Sequence, residues 1–508
     1  MMRFLYVSAA MVLLPAASFS ASLTVAEAAM REDKAAVRSL IEQKADVNAV
    51  LPDGTTALHW AVETDDLETV ALLIQAGANV KAQDRYGIPP LYFASANGNA
   101  AIIRKLLAAG ADPNAPGSGG ETILMAAVRS GNLDAVKALL QNGAAVNAKD
   151  TASQQTALML AVRMDEPEAV PLLIEYGAEV NAANRKGKTP AWRPPNAGGG
   201  SHGAGITRGG WPDRGILEAT PGAMTGLLYA ARDGHADIAR MLAGAKADVN
   251  QAEANGISPL LMAITNDHVD VAKLLVERGA DVNAADWWAR TPLWAAVDIR
   301  NRDYKYGGNN DQGIDRASWL EFIQVLLARG ANTNARTKEY PPIRRWIMPI
   351  SDISWVDFTG QTPFLRASLA GDLTVMHLLL DKSADPNIAT FGGTTALMAA
   401  AGVNWSVGQT FTESKESLME AVKLCVEKGA DVNASNSMGI TALIGAVNRG
   451  SNDILEFLVK KGAKLDVKDN EGRTPMVWAK GVFLATIPPE EKPSTMALLQ
   501  KLMGGQAQ

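Results

Sequence analysis

Asp53-Gly54-Thr55-Thr56-Ala57-Leu58-His59-Trp60-Ala61-Val62 reads as a turn followed by the opening of a helix. The Asp-Gly pair supplies the turn, and the Thr56 hydroxyl is placed to accept from the N–H groups left free at a helix start. Further on, Leu67, Val70, Ala71, Leu72, Leu73 and Ile74 fall on an apolar helical face. Gly77 follows as a residue that accepts positive φ at a helix end. The stretch therefore predicts one helix beginning near Thr56 and a second that stops at Gly77. The same pattern returns along the chain. A Gly-Ala-Asp-Val-Asn-like pentad occurs eleven times, from Lys44-Ala45-Asp46-Val47-Asn48 through Gly110-Ala111-Asp112-Pro113-Asn114, Gly279-Ala280-Asp281-Val282-Asn283 and Gly429-Ala430-Asp431-Val432-Asn433 to Gly462-Ala463-Lys464-Leu465-Asp466. Thr-Pro-Leu-His-like tetrads start at Thr56, Pro89, Thr122, Thr156, Thr189, Thr225, Ser258, Thr291, Thr362, Thr395, Thr441 and Thr474, with 33 residues the commonest step.

A period of 33 residues carrying this signature resembles the ankyrin repeat, a turn or β-hairpin finger followed by two antiparallel helices. The resemblance spans roughly residues 23–505. It implies an all-α repeat solenoid of about 12 units, caps and irregular units included, forming a single array over residues 21–505. Neither helix of a pair can bury its apolar face alone, so each unit must stack on its neighbours. Helix packing at roughly 10 Å would make such an array a curved rod on the order of 100 Å long, with an extended concave surface and few enclosed cavities. The ordinary use of that shape is to hold another macromolecule.

The net charge of −6 over 508 residues argues against nucleic acid as the partner, since such proteins concentrate positive charge on one face. Residues 1–20 read as an export signal. Arg3 lies in a short n-region, an apolar stretch runs from Phe4 to Ala17, and Ser18 and Ser20 precede a cut before Ala21. The apolar run is shorter than the roughly 20 residues that span a bilayer, so cleavage and a periplasmic or secreted protein without a membrane span are expected. Cys425, the only cysteine, lies in Leu424-Cys425-Val426 on a second helix and reads as a small core residue.

Insertions break the period near residues 191–221, 301–315, 338–357 and 403–415. Long segments of this kind are disproportionately functional or disordered. Here Trp192, Trp211, Trp346, Trp355 and Trp405 fall within or beside them, with Tyr304, Tyr306, Tyr340 and Phe411. Disordered linkers are poor in aromatics, whereas recognition surfaces are enriched in Trp, Tyr and Arg, which also singles out Arg344 and Arg345. The bland alternative has these rings folding back to plug gaps in the array. At one turn, Trp287 and Trp288 follow Asp286, which predicts at least one ring facing solvent or a partner. Trp60, Trp294 and Trp478 fall on first helices as packing residues. Seven residues beyond the tetrad starts Thr122, Thr156 and Thr225, those of three consecutive regular units, come Arg129, Arg163 and Arg232. If those units stack directly, the guanidinium groups form a basic strip suited to an acidic partner segment.

Strings that invite an enzymatic reading lack the context they need. Gly199-Gly200-Ser201-His202-Gly203 fits a nucleophile elbow but is preceded by Pro194-Pro195 rather than a strand. Gly187-Lys188-Thr189 has Ala at position 182 where a phosphate loop needs Gly. His59, His202, His235, His268 and His377 show no metal-pair spacing, so neither metal nor cofactor is expected. The reading is a non-enzymatic scaffold that binds a protein on its inner helices, fingers and aromatic insertions. A second reading is a small ligand or carbohydrate held where Trp211, Trp346, Trp355 and Trp405 converge. Hydrolase chemistry in the Gly-rich insertion comes third.

Overall fold

The computed structural model describes residues 23–187, 191–192, 216–217, 222–302, 313–338, 359–403, 411–482 and 489–505. The chain divides into two compact units, Met1–Ala145 and Val146–Gln508. In the first, antiparallel pairs are formed by α1 (Val25–Met30) with α2 (Lys34–Glu42), α3 (Ala57–Glu63) with α4 (Leu67–Gln75), α5 (Pro90–Asn97) with α6 (Ala100–Ala108), and α7 (Ile123–Arg129) with α8 (Leu133–Gln141). In the second the pairs are α9 (Ala157–Arg163) and α10 (Ala169–Glu175), α11 (Gly226–Asp233) and α12 (Ala236–Gly244), α13 (Pro259–Thr265) and α14 (Val269–Glu277), α15 (Pro292–Arg300) and α16 (Arg316–Ala328). It continues with α17 (Pro363–Ala370) and α18 (Leu373–Asp381), α19 (Ala396–Ala401) and α20 (Lys415–Glu427), α21 (Ala442–Arg449) and α22 (Asn452–Lys460), and α23 (Pro475–Ala479) and α24 (Pro493–Gly505). Within each unit, first helices pack on the next first helix and second helices on the next second helix.

Local chemistry sets each helix start. The hydroxyls of Thr122, Thr156, Thr225, Ser258, Thr291 and Thr362 accept from the backbone N–H three residues on, at 3.1–3.3 Å. Pro259, Pro292 and Pro363 occupy the first helical position, where a missing N–H costs nothing. Second helices begin after one residue in the left-handed region, Gly98 or Gly371 in some pairs and Asp65 or Asp267 in others. Buried Leu, Ile, Val and Ala then fill the interior between pairs, with Trp319, Phe322 and Trp478 among the largest enclosed side chains.

The terminal Asn of the pentad is the clamp between neighbours. Asn48 donates to the Gly77 carbonyl (3.2 Å) and accepts from the Asn79 N–H (2.7 Å). Asn114, Asn147, Asn181, Asn283, Asn334 and Asn433 repeat the same two bonds on the unit that follows. The pentad Asp turns inward on its own loop: Asp281 accepts from the Asn283 N–H at 2.8 Å.

The connecting turns between pairs carry single antiparallel bridges at Pro116–Thr122, Ala183–Thr225 and Ser435–Thr441. A two-residue strand pair joins β1 (Ala191–Trp192) to β2 (Ile216–Leu217). Turn tips are linked one to the next by backbone bonds, Trp287 N–H to Asn255 (2.9 Å), Lys338 to Trp288 (2.9 Å), Phe391 to Thr359 (3.0 Å) and Ser437 to Gly392 (2.7 Å). No helix among the described residues is long and apolar enough to cross a membrane. Residues 1–20, read above as an export signal, lie outside the described residues.

Candidate interaction surface

The first helices present the residue seven places beyond each tetrad start at their C-terminal ends. In the first unit Glu63 and Ala96 hold that place on α3 and α5, and Arg129 holds it on α7. It pairs with Glu121, just ahead of its own helix, and Glu121 accepts from the Tyr92 hydroxyl of α5 at 3.0 Å. Burial, and then the Glu121 charge, push the Tyr92 hydroxyl above its ordinary range.

In the second unit, α9 packs directly on α11, which brings Arg163 and Arg232 to the same ring, Tyr229. Their guanidinium carbons stand 5.5 and 4.9 Å from its centroid. Tyr229 is 4% exposed. Its hydroxyl accepts from the Gln155 amide at 3.1 Å and the Asn184 amide at 3.0 Å. Gln155 in turn accepts from Arg163 Nη1 at 2.9 Å. Arg232 donates through Nε and Nη2 to the two Asp233 oxygens, both at 2.7 Å, and this pairing raises its pKa. Tyr229 is thus a fixed aromatic post with one guanidinium neutralised beside it and another held by an amide. Each such cation–π contact contributes on the order of 0.5–1 kcal/mol when exposed.

The same register position carries opposite charge on α15. Asp298 is 6% exposed and accepts from Arg366 Nε of α17 at 2.8 Å, and it is paired on its other oxygen with Arg302. Burial would raise its carboxyl, but the Arg302 and Arg366 guanidiniums outweigh it and hold the pKa below the ordinary value. Every residue of α15 and of α17 is buried. Beside this pair, Arg300 binds Asp372 (2.8 Å), while Arg316 binds Glu413 (2.7 Å) and lies over Phe411 at 4.2 Å. The Phe411 N–H donates to the Asn301 carbonyl at 3.0 Å. The residues that bound the second and fourth insertions are therefore tied to one another.

At the tryptophan turn the two rings part company. Trp288 is 2% exposed, packed edge-on against Trp287 with centroids 5.6 Å apart and covered by Arg290 at 5.4 Å. The expectation that it meets a partner does not suit that position: it is a packing group. Trp287 is half-buried, with Lys338 Nζ 5.3 Å from its ring. Trp294 and Trp478 are buried, and Trp60 donates to the Thr55 hydroxyl at 3.0 Å. Trp192 pairs through its backbone with Ile216. Trp211, Tyr304, Tyr306, Arg344, Arg345, Trp346, Trp355 and Trp405 lie outside the described residues, as do Ser201 and His202.

His59 accepts the Thr56 N–H at Nδ1 (3.1 Å) and meets the Ile88 carbonyl with Nε2 (3.1 Å). His235 faces Asp165 at 3.1 Å, and His268 meets the Arg232 carbonyl at 3.0 Å. Burial pushes the Cys425 thiol up to about 12, which keeps it protonated and unreactive at neutral pH. Among the described residues no group of three or more His, Cys, Asp or Glu side chains is placed to hold a metal. Sequence reasoning passed over Tyr229, Arg366 and the clamping asparagines. A signal for Arg366 was present: four residues beyond the tetrad start, where it stands, other units carry Trp60, Leu160, Tyr229 or Ala295.

Family models for ankyrin repeats match residues 25–117, 91–184, 215–304 and 412–481, and a single ankyrin repeat matches 359–391. The chain belongs to the ankyrin repeat family. The human ankyrin repeat and KH domain-containing protein 1 is 31% identical over 122 residues, 24% of this chain and 4% of that protein. A related Caenorhabditis briggsae protein is 28% identical over 162 residues, and the chain covers 5% of its length. The putative ankyrin repeat protein YahD of Escherichia coli is 29% identical over 180 residues, 32% of this chain and 83% of YahD. Ankyrin repeats are generally protein–protein interaction modules.

Proposed function

We propose that this ankyrin repeat chain is a non-enzymatic scaffold of the periplasm or extracellular space that binds a protein on its first-helix face, turn tips and aromatic insertions. The carrying observation is the Arg163–Tyr229–Arg232 arrangement. Its polar side chains are oriented by neighbours before any partner arrives, and ordering them in advance lowers the entropy cost of association. Trp287 at the turn tips extends the surface. The insertion residues Trp192, Trp211, Tyr304, Tyr306, Arg344, Arg345, Trp346, Trp355 and Trp405 would form a second rim. Export is supported by the leader-like residues 1–20.

The test replaces Trp287, Trp346 and Trp355 with Ala in the exported protein and follows partner capture by crosslinking in cells. Loss of the crosslinked species with unchanged helical circular dichroism is expected. An undiminished crosslinking pattern would reject this surface, and an intact mass that retains residues 1–20 would reject cleavage.

A further inference from the structure

We infer that Arg163 is the carboxylate-recognition point of the first-helix face, and that the partner is an acidic, extended protein segment lying across α9, α11 and α13. This rests on the scaffold reading and adds the chemistry and extent of what is bound. Among the described residues no carboxylate pairs with Arg163, which is exposed. One of its five N–H donors is committed, to the neutral Gln155 oxygen, and its guanidinium stands 5.5 Å from the Tyr229 ring. The post itself cannot swing, because Gln155 and Asn184 hold its hydroxyl, and Asn184 is pinned by its Oδ1 accepting the Met224 N–H at 2.7 Å. A guanidinium so restrained presents a planar fork that matches a carboxylate.

Arg185 and Lys149 on the adjoining turns reach only the carbonyls of Thr151 and Ala183, and Arg163 differs from them in standing beside the Tyr229 ring on the first-helix face, where the other charges are spent internally. Arg232 is bound by both oxygens of Asp233. At the turn bases, Asp150 accepts from the N–H groups of Ser153, Gln154 and Gln155, and Glu253 from those of Asn255 and Ile257. Asp286 is closed by Arg290. One step on, Thr265 turns its hydroxyl back to the Leu261 carbonyl at 2.9 Å. On α11 and α13 only the C-terminal residues Arg232, Asp233 and Thr265 are not buried, and beyond them the row closes: Asp298 is sealed by Arg366, and α15 and α17 are buried throughout. Three first helices at roughly 10 Å spacing leave a strip about 20 Å long, which an extended segment of about six residues would cover.

The experiment selects random dodecapeptides on the immobilised full-length chain and measures synthetic representatives by fluorescence anisotropy. Peptides rich in Asp and Glu are expected, with binding that weakens as salt rises. Arg163→Gln should weaken them at least about tenfold, the value of one lost charge-assisted bond. Arg163→Lys should fall between, because it keeps the charge without the fork. Arg240→Gln, an exposed change on α12, should leave affinity unchanged. Selected peptides without acidic preference, acidic peptides indifferent to Arg163→Gln, or no selected peptides at all would overturn the inference. Non-acidic peptides lost in Trp287→Ala would do so while leaving the scaffold reading in place.

Discussion

At Thr56 the backbone N–H donates to His59 Nδ1, so that nitrogen must stay unprotonated for the first turn of α3 to be satisfied. Burial, the largest influence, lowers the His59 pKa below its ordinary value. The folded state therefore binds a proton less readily than the unfolded chain. Its contribution to stability is complete above about pH 6.5 and is lost as pH falls through the depressed folded value. His59→Gln should flatten the decline of urea stability between about pH 7 and pH 5, and an unchanged slope would show that another group carries it. Position His59 was legible as a structural member of its tetrad. Tyr229 was not, because its importance comes from Gln155 and Asn184, amides 74 and 45 residues away, and no local pattern links them. Asp298 stands at the same register as Arg129, Arg163 and Arg232, seven residues beyond Thr291. Its burial depends on Arg366, 68 residues on, and was invisible to periodicity.

Helix pairs were readable because nearly all carry their own start and stop, a hydroxyl at the tetrad (Pro89 takes its place ahead of α5) and a left-handed residue at the end. The junctions between pairs were readable only in part. Pentad recurrence was evident, yet the Asn side chains act across units, through groups that no single repeat contains. Asn283 donates to the Gly330 carbonyl at 3.1 Å and accepts from the Asn332 N–H at 2.7 Å. Asn283→Ala should cost about 1–2 kcal/mol in urea denaturation, the net worth of two hydrogen bonds. Asn283→Asp retains the acceptor and loses the donor, so its loss should be smaller. Equal losses for the two substitutions would place the effect elsewhere than in the clamp. Trp287 and Trp288 make the same point at a turn: adjacency in sequence promised one open ring but could not say which.

For the whole molecule, the repeat period announced the family, while the division at Ala145 left no mark in it. Each pair leans on its neighbours alone, so damage should spread locally. Leu275 is wholly buried in α14, and Leu275→Ala should destabilise the second unit by about 2–5 kcal/mol through the cavity it leaves. Hydrogen exchange should quicken in α12 to α16 while amides of α5 and α6 keep their protection. Acceleration throughout both units would mean one cooperative body instead. Insertions were located by the broken period, but their relation to one another was not. The bond from Phe411 to Asn301 emerges only when distant segments are seen side by side.

The asparagine clamp is indifferent to how much chain separates its partners. Asn48 reaches a carbonyl 29 residues ahead, Asn283 one 47 ahead and Asn181 one 65 ahead, with the same pair of bonds. Loop length is thereby uncoupled from the spacing of the stack. Foreign segments spliced between Lys338 and Thr359, or between Gly187 and Gly222, would inherit a rigid mounting without any adjustment of the helices beneath, which makes these two sites natural ports for diversification.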